Sequence, residues 1–243
     1  MENVSTQSRN MFPTEEQCAQ YMAQVAGTGD TILQTWRLHK DPYQHVSRLL
    51  AQCEQSAEWC LDRATILDIG CGTGEFIWHV RNLTAGRAAV EGINYYQCQA
   101  SIGGDAVPIV VGDITKMELP PCRYDIVFCN YTMGYFDPVQ VQGIMRKIYT
   151  ALKPGGKLFM WDVMPASLAC RSLFGYRLYD ACEYRSMCTP FMAPNGAKAF
   201  TNWICPSDVY CMADNIQKVA SEQQLELFRK FSRPVLYRFT KED

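Results

Sequence analysis

Ile66-Leu67-Asp68-Ile69-Gly70-Cys71-Gly72-Thr73-Gly74-Glu75-Phe76 is the stretch that decides the fold: an apolar run closing around an acid, then three glycines at alternate positions. Ile66 to Ile69 read as a buried strand, and Glu75 to Arg81 read as the first turns of a helix. Between them, a turn of small residues lets main chain approach a ligand more closely than side chains permit. Strand, glycine turn and helix form the crevice of a doubly wound sheet, where ligands sit beyond the carboxyl ends of the strands. A dinucleotide fingerprint would read Gly-x-Gly-x-x-Gly, with a pyrophosphate on the helix N-terminus. Here the spacing is Gly70-x-Gly72-x-Gly74, with Asp68 two residues ahead of it.

Outward from this centre, strands and helices alternate. Ala88 to Asn94 reads as the second strand, Ile109 and Val110 belong to the third, and Tyr124 to Asn130 is the fourth. A helix over Gln140 to Leu152 stops at Lys153-Pro154-Gly155-Gly156, and Lys157 to Asp162 forms the fifth strand. Such alternation implies parallel order with right-handed crossovers. Thr14 to Gly27 and Pro42 to Cys60 are helix-like, with Trp36, Arg37 and His39 between them, so residues 1–60 are expected to form an N-terminal helical segment. Residues 61–163 are the expected cofactor-binding core. From 164 to 206 the pattern breaks: Phe174, Tyr176, Tyr179, Tyr184, Phe191, Phe200 and Trp203 are interleaved with Arg171, Arg177, Arg185 and Lys198. Too apolar for a linker, this stretch is expected to cap a substrate pocket. Ser207 to Gln223 reads as a helix, and Leu225 to Phe231 with Val235 to Thr240 reads as an antiparallel hairpin turned at Ser232-Arg233-Pro234.

The 243 residues, 48% hydrophobic and 20% charged, suit one α/β domain with a substantial core. A net charge of -2 gives no electrostatic case for a nucleic-acid partner, which would call for clustered Lys and Arg. No segment approaches the roughly twenty apolar residues of a membrane span, and Met1 to Asn10 lacks the apolar core of a secretion signal. The 12 cysteines are scattered without any Cys-x-x-Cys pair, which argues against a disulfide scaffold or zinc site and for a reduced, cytoplasmic protein. Histidines 39, 45 and 79 are too dispersed to nominate a general base.

The Asp68 to Gly74 pattern resembles the first motif of the class I S-adenosylmethionine-dependent methyltransferases, and the resemblance extends from about Ile66 to Asp162. It implies a doubly wound, seven-stranded, mostly parallel sheet with the last strand antiparallel, and an N-terminal helical lid over the cofactor mouth formed by residues 1–60. It also implies a cofactor site on Asp68, Gly70, Cys71, Gly72 and Gly74. Class I members commonly carry an acid at the end of the second strand that accepts both ribose hydroxyls, and Asn94 occupies that place here. Glu91-Gly92-Ile93-Asn94-Tyr95-Tyr96-Gln97-Cys98-Gln99 resembles the corresponding segment of cyclopropane-fatty-acid synthases and isoprenyl-diphosphate C-methyltransferases. That likeness assigns the ribose to Asn94 and Gln99, with Glu91 as a rival. Gly112-Asp113-Ile114 matches the adenine-binding position: Asp113 would accept from the exocyclic amine and Ile114 would pack on the ring.

Asn130-Tyr131-Thr132-Met133-Gly134-Tyr135-Phe136-Asp137 is similar to a stretch of geranyl-diphosphate C-methyltransferases. It carries Asn130 or Tyr131 where that family has a glutamate. The likeness nominates Asn130, Tyr131 and Tyr135 beside the reacting methyl, with Asn130 also near the cofactor; Tyr179 and Trp203 of the cap join them, and Trp161 and Tyr176 are further aromatic candidates. Core packing is the competing reading for each aromatic. The expected function is methyl transfer to a small apolar molecule, foremost C-methylation of an alkene such as a prenyl diphosphate, with magnesium if a diphosphate is bound. The alternatives are an O- or N-methyltransferase of a small metabolite, and a non-catalytic cofactor- or partner-binding protein.

Overall fold

The computed structural model describes residues 14–26, 61, 63–103, 107–167, 171–173, 176–188, 230 and 232–241. In chain order the elements are α1 (Glu15–Ala26), β1 (Thr65–Ile69), α2 (Glu75–Leu83), β2 (Ala89–Asn94), α3 (Gln97–Gly103), β3 (Ile109–Val111) and β4 (Tyr124–Asn130). A 3-10 turn (Met133–Tyr135), α4 (Pro138–Ala151), β5 (Leu152–Pro165), β6 (Ser172–Leu173), β7 (Tyr176–Arg177), α5 (Ala181–Cys188) and β8 (Ser232–Thr240) complete the described part. The main sheet runs β3-β2-β1-β4-β5-β8, parallel but for β8, and β6 pairs with β7 in a separate ribbon.

Side chains alternate across a strand, so the apolar runs of β1 and β4 feed two cores at once. Ile66, Ile126 and Phe128 meet Phe76, Ile77 and Val80 of α2 on one face. Leu67, Ile69, Val127 and Cys129 meet Val141, Ile144, Met145 and Ile148 of α4 on the other. The turn between β1 and α2 therefore sits between two helices packed on opposite faces.

Helix α4 begins at Pro138, two residues before the start expected from the sequence, because Asp137 is its N-cap. Gln140 N–H donates to Asp137 Oδ1 at 2.9 Å, while Asp137 N–H donates to Gln140 Oε1 at 3.0 Å. Proline at the first helical position loses a donor that had no partner anyway. At the other end Leu152 is already extended, and the chain enters β5 directly.

The main sheet has six strands among the described residues, in the expected doubly wound arrangement with one antiparallel strand, and one expectation at its end needs correction. Of the strand expected over Leu225 to Phe231, only Lys230 is described, and it is helical. The Ser232-Arg233-Pro234 segment is no turn: it opens β8, paired with Pro165, Met164 and Val163. β8 is the outermost described strand on that side, where proline's missing N–H removes no ladder bond. The helix expected over Pro42 to Cys60 and the helix from Ser207 lie outside the described residues. Within the expected cap, Tyr179, Tyr184 and Met187 belong to the main core beside Tyr237 and Phe239 of β8.

Replacing Asp137 by alanine is expected to lower unfolding stability by about 1 kcal/mol, the typical worth of an N-cap. Urea denaturation checks this, and an unchanged midpoint would show that the cap carries no weight.

Candidate cofactor and acceptor site

The glycine turn hangs from β2. Gly70 N–H and Cys71 N–H both donate to Ile93 O, at 2.8 and 3.1 Å. Gly70 and Gly72 adopt φ of +74° and +58°, a region that L side chains enter at a cost of about 1–2 kcal/mol. A Cβ on Gly70 would lie 2.1 Å from Thr132 Oγ1 of the β4 tip, whereas one on Gly72 would meet nothing within 4 Å. Gly70 is thus small for packing and Gly72 for open space.

That open space belongs to a cavity of about 280 Å³ walled by Gly70, Gly72, Asn94, Gln99, Asp113 and Ile114, with Tyr131, Thr132, Tyr135 and Phe136 on another side. Apart from Gln99 of α3, these residues lie at or just past the ends of β1, β2, β3 and β4, the crevice that the topology dictates. Asp68, Cys71, Gly74 and Asn130 are not on the wall. Asp68 is buried at 2% exposure near the end of β1. Cys71 is buried beneath the turn, and Gly74 gives way to Val107, whose Cγ1 lies 2.5 Å from where a Cβ would be.

Asn94 is a strut in this wall. Its Oδ1 accepts from Gly72 N–H at 3.2 Å, and its Nδ2 donates to Tyr96 O at 2.9 Å and to Gln99 Oε1 at 3.0 Å. With both amide hydrogens used, Asn94 retains only acceptor capacity on its oxygen. With its oxygen taken, Gln99 offers its Nε2 as a donor. Glu91, the rival, is elsewhere: an odd number of residues before Asn94, it projects to the other face of β2. There it accepts from Arg123 Nη2 at 3.0 Å and from Tyr124 OH at 2.5 Å.

Asp113 forms its own turn. Its Oδ1 accepts from Thr115 N–H at 2.9 Å and from Thr115 Oγ1 at 2.6 Å. Burial raises its pKa, but the Thr115 bonds and nearby Lys116 outweigh that and hold the carboxyl below its ordinary range. It therefore stays ionised at the cavity wall, the one charged side chain among the described lining residues.

At the β4 tip Tyr131 takes φ of +48°, a strained conformation for a bulky residue. Asn130 closes the strand beside it, its Nδ2 buried with no hydrogen-bond partner among the described residues. Tyr131 and Tyr135 line the cavity. Tyr179 does not: its hydroxyl donates to Phe136 O at 2.8 Å and its ring is in the core. Trp203 and the Trp161 side chain lie outside the described residues, as do His39 and His45.

Sequence reasoning missed a buried carboxylate cluster behind this wall. Asp162 of β5 is 2% exposed and accepts from the hydroxyls of Tyr176 and Tyr184 and from Val163 N–H. Burial pushes its pKa up to about 6 against the pull of those bonds. Tyr176 in turn stacks edge-on to Tyr135, ring centres 4.8 Å apart, which links Asp162 to the cavity wall. The available signal was an acid inside the apolar run Phe159-Met160-Trp161-Asp162-Val163. Also missed was Glu15 of α1, whose carboxylate accepts from Gln97 N–H at 3.1 Å and Cys98 N–H at 2.7 Å, fastening α1 to the start of α3. Arg171 of the expected cap is engaged by Asp180 at 3.0 Å and Glu183 at 2.9 Å. Among the described residues no three His, Cys, Asp or Glu are grouped to hold a metal ion.

Comparison with known proteins fits this architecture. Residues 66–156 match a family described as a methyltransferase domain. A sterol 4-C-methyltransferase of Caenorhabditis elegans, strm-1, is 28% identical over 107 residues, covering 40% of this chain and 30% of that protein. The chain thus spans well under two thirds of this relative. Among solved structures, geranyl diphosphate C-methyltransferase from Streptomyces coelicolor A3(2) superposes with a TM-score of 0.62 at 15% identity, over 80% of this chain and 79% of that one. The [4+2]-cyclase SpnF superposes with a TM-score of 0.64 at 19% identity, over 94% of this chain and 96% of that one. The fold is shared with these two structures, and among the described residues one antiparallel strand is outermost.

Two outcomes follow from the geometry. Gly72→Val fills the open space at the turn, so calorimetry is expected to show at least a tenfold loss in S-adenosylhomocysteine affinity, or about 1.4 kcal/mol; undiminished binding would detach the turn from the ligand. For Asp162, the folded-state pKa of about 6 exceeds the ordinary 3.8. Its stabilising contribution is therefore complete below the ordinary value and is lost as pH rises through about 6. The melting temperature of Asp162→Asn relative to the parent should thus rise between about pH 5 and pH 7.5; a pH-independent difference would contradict this.

Proposed function

We propose that this chain is an S-adenosylmethionine-dependent methyltransferase that acts on a small apolar acceptor. One observation carries the reading: a cavity at the carboxyl edge of the sheet, floored by a left-handed glycine turn and walled by Asn94, Gln99, Asp113 and Ile114. Those residues suit the parts of the cofactor. Gly72 leaves room for backbone approach, Gln99 Nε2 and the remaining lone pair of Asn94 match ribose hydroxyls, and the Asp113 carboxylate matches an exocyclic amine. Ile114 offers an apolar face for the ring. Asp68, buried at the end of β1, supplies negative charge toward the ammonium and sulfonium end.

When bound, S-adenosylmethionine supplies a methyl group activated by its positive sulfur. The chain's residues then have little bond chemistry to perform. They hold the acceptor in line, with reacting atoms roughly 3 Å apart, and exclude water. Tyr131, Tyr135 and Phe136 give the acceptor side an aromatic wall, and Asn130 adds a buried amide at the same strand tip.

The acceptor class we favour is an alkene in a small apolar molecule such as a prenyl diphosphate. Carbon methylation of an alkene leaves a cation, which aromatic faces stabilise by cation–π attraction of about 0.5–2 kcal/mol. The likeness in fold to a geranyl diphosphate C-methyltransferase supports this reading. With Arg171 tied to Asp180 and Glu183, a diphosphate would call for another cation such as magnesium.

Incubation with methyl-labelled S-adenosylmethionine and a panel of prenyl diphosphates, with and without magnesium, tests this. Label is expected on a carbon of at least one prenyl chain. Transfer only to oxygen or nitrogen of other metabolites would replace the alkene reading with the heteroatom one. Tight S-adenosylhomocysteine binding without turnover on any acceptor would favour a non-catalytic cofactor-binding protein.

A further inference from the structure

Lys147 sits on α4, far in sequence from the cavity, and its position on that helix gives no hint of a role in binding. Its side chain crosses from the helix to the loop after β3. There Nζ donates to three main-chain carbonyls, Ile114 O at 3.2 Å, Thr115 O at 2.9 Å and Met117 O at 2.6 Å. An ammonium has three hydrogens to give, and three acceptors take them. The side chain is 18% exposed, and its only acidic neighbour among the described residues, Glu118, is 4.0 Å away and 90% exposed. Lys147 is thus committed to the loop's main chain and not to a surface ion pair.

The loop it holds carries Asp113 and Ile114, both on the cavity wall. Within the loop, Lys116 N–H and Met117 N–H both donate to Asp113 O at 2.9 Å. Thr115 binds Asp113 Oδ1 through its amide and hydroxyl. The Met117 side chain folds back on Gly112, its sulfur 2.5 Å from where a Cβ would be. Asp113 Oδ1 is therefore fixed by the turn, and Oδ2 pairs at 3.3 Å with Nζ of the exposed Lys116, itself a residue of the loop, so the direction of the carboxylate depends on where the turn is held. Ile114 also shares the main core with Ile144 and Ile148 of α4, but among the described hydrogen bonds it is those of Lys147 that tie the 114–117 main chain to that helix.

We infer that Lys147 is a positioning residue for purine selectivity: its ammonium locks the 114–117 main chain so that Asp113 and Ile114 present one fixed face to the base. This rests on the cofactor reading above and goes beyond it, because it assigns the choice of base to a side chain that never touches the ligand. A carboxylate held in one direction favours a ring that donates from its amine and repels a ring that presents a carbonyl oxygen there. A loosened loop lets the carboxylate turn away, and the penalty for the wrong ring falls.

The test is calorimetric, with S-adenosylhomocysteine and its 6-oxo analogue S-inosylhomocysteine as probes, on the parent chain, Lys147→Met and Lys147→Arg. The parent is expected to prefer the adenine ligand by tenfold or more. Lys147→Met should reduce that ratio at least fivefold, chiefly by weakening the adenine ligand, whereas Lys147→Arg, which can still donate to several carbonyls, should restore most of it. A Lys147→Met protein that melts lower but keeps the parent's ratio would overturn the inference, because a merely structural role moves stability and not selectivity. Should that variant not fold, Lys147→Arg and Lys147→Gln decide: Gln, with two amide hydrogens and no charge, should fall between Arg and the absence of preference. Equal ratios in all folded variants refute the role, as does a parent that binds both ligands alike. A parent that binds neither ligand refutes the cofactor reading itself, a result distinct from both.

Discussion

One carbonyl carries the design. Ile93 O receives the amide hydrogens of both Gly70 and Cys71, and this pair of hydrogen bonds ties the exit of β1 to the end of β2. The chain can satisfy it only by entering the left-handed region at residue 70 and again at 72, where any side chain adds strain. From this constraint follow the open floor at Gly72, the close seat of Thr132 on Gly70, and the start of α2 at Gly74. Asn94, one residue beyond Ile93, braces the same turn from its side chain and passes the brace on to Gln99. The cavity wall is therefore a set of mutual supports, in which Gly72, Asn94 and Gln99 hold one another.

The carboxyl end of the sheet is where this protein concentrates buried polarity. Asp68 and Asp162 are both nearly inaccessible, and both act on Cys129 between them, whose thiol is driven far up by burial, by Asp162 and by Asp68. The two cores alongside the sheet are otherwise built from aliphatic and aromatic side chains. A buried carboxylate costs several kcal/mol unless hydrogen bonds offset it, and the hydroxyls of Tyr176 and Tyr184 do so only in part for Asp162. Strain at Tyr131 lies at the same end. Departures from simple packing rules gathered around one cavity are the pattern expected of a functional site, where local stability is given up for geometry.

The sequence was most legible where a pattern was periodic or sterically enforced. The apolar runs of β1 and β4 announce buried parallel strands, and the alternate glycines announce a turn that approaches a ligand. Legibility failed where the decisive partner was distant. Helix α3 has no apolar stripe and no local cap, because its first amides are capped by Glu15, more than eighty residues earlier. β8 begins at a Ser-Arg-Pro sequence that favours a turn, and its pairing with Val163 to Pro165 of β5 makes it a strand. Among the aromatics, composition cannot separate Tyr135, which lines the cavity, from Tyr179, whose hydroxyl is taken by Phe136 O. The Asn94 and Gln99 spacing is readable, but their bond to each other, which decides which atoms remain for a ligand, is not.

The central claim is that the hollow above the glycine turn receives an adenosine bearing a charged sulfur. A crystal structure of the chain soaked with S-adenosylhomocysteine tests it most directly. The account predicts the base against Ile114 with its amine toward Asp113, the ribose at Asn94 and Gln99, and the amino-acid end over Gly70 and Gly72. Density for the ligand at another surface, with side chains filling the hollow, would contradict it.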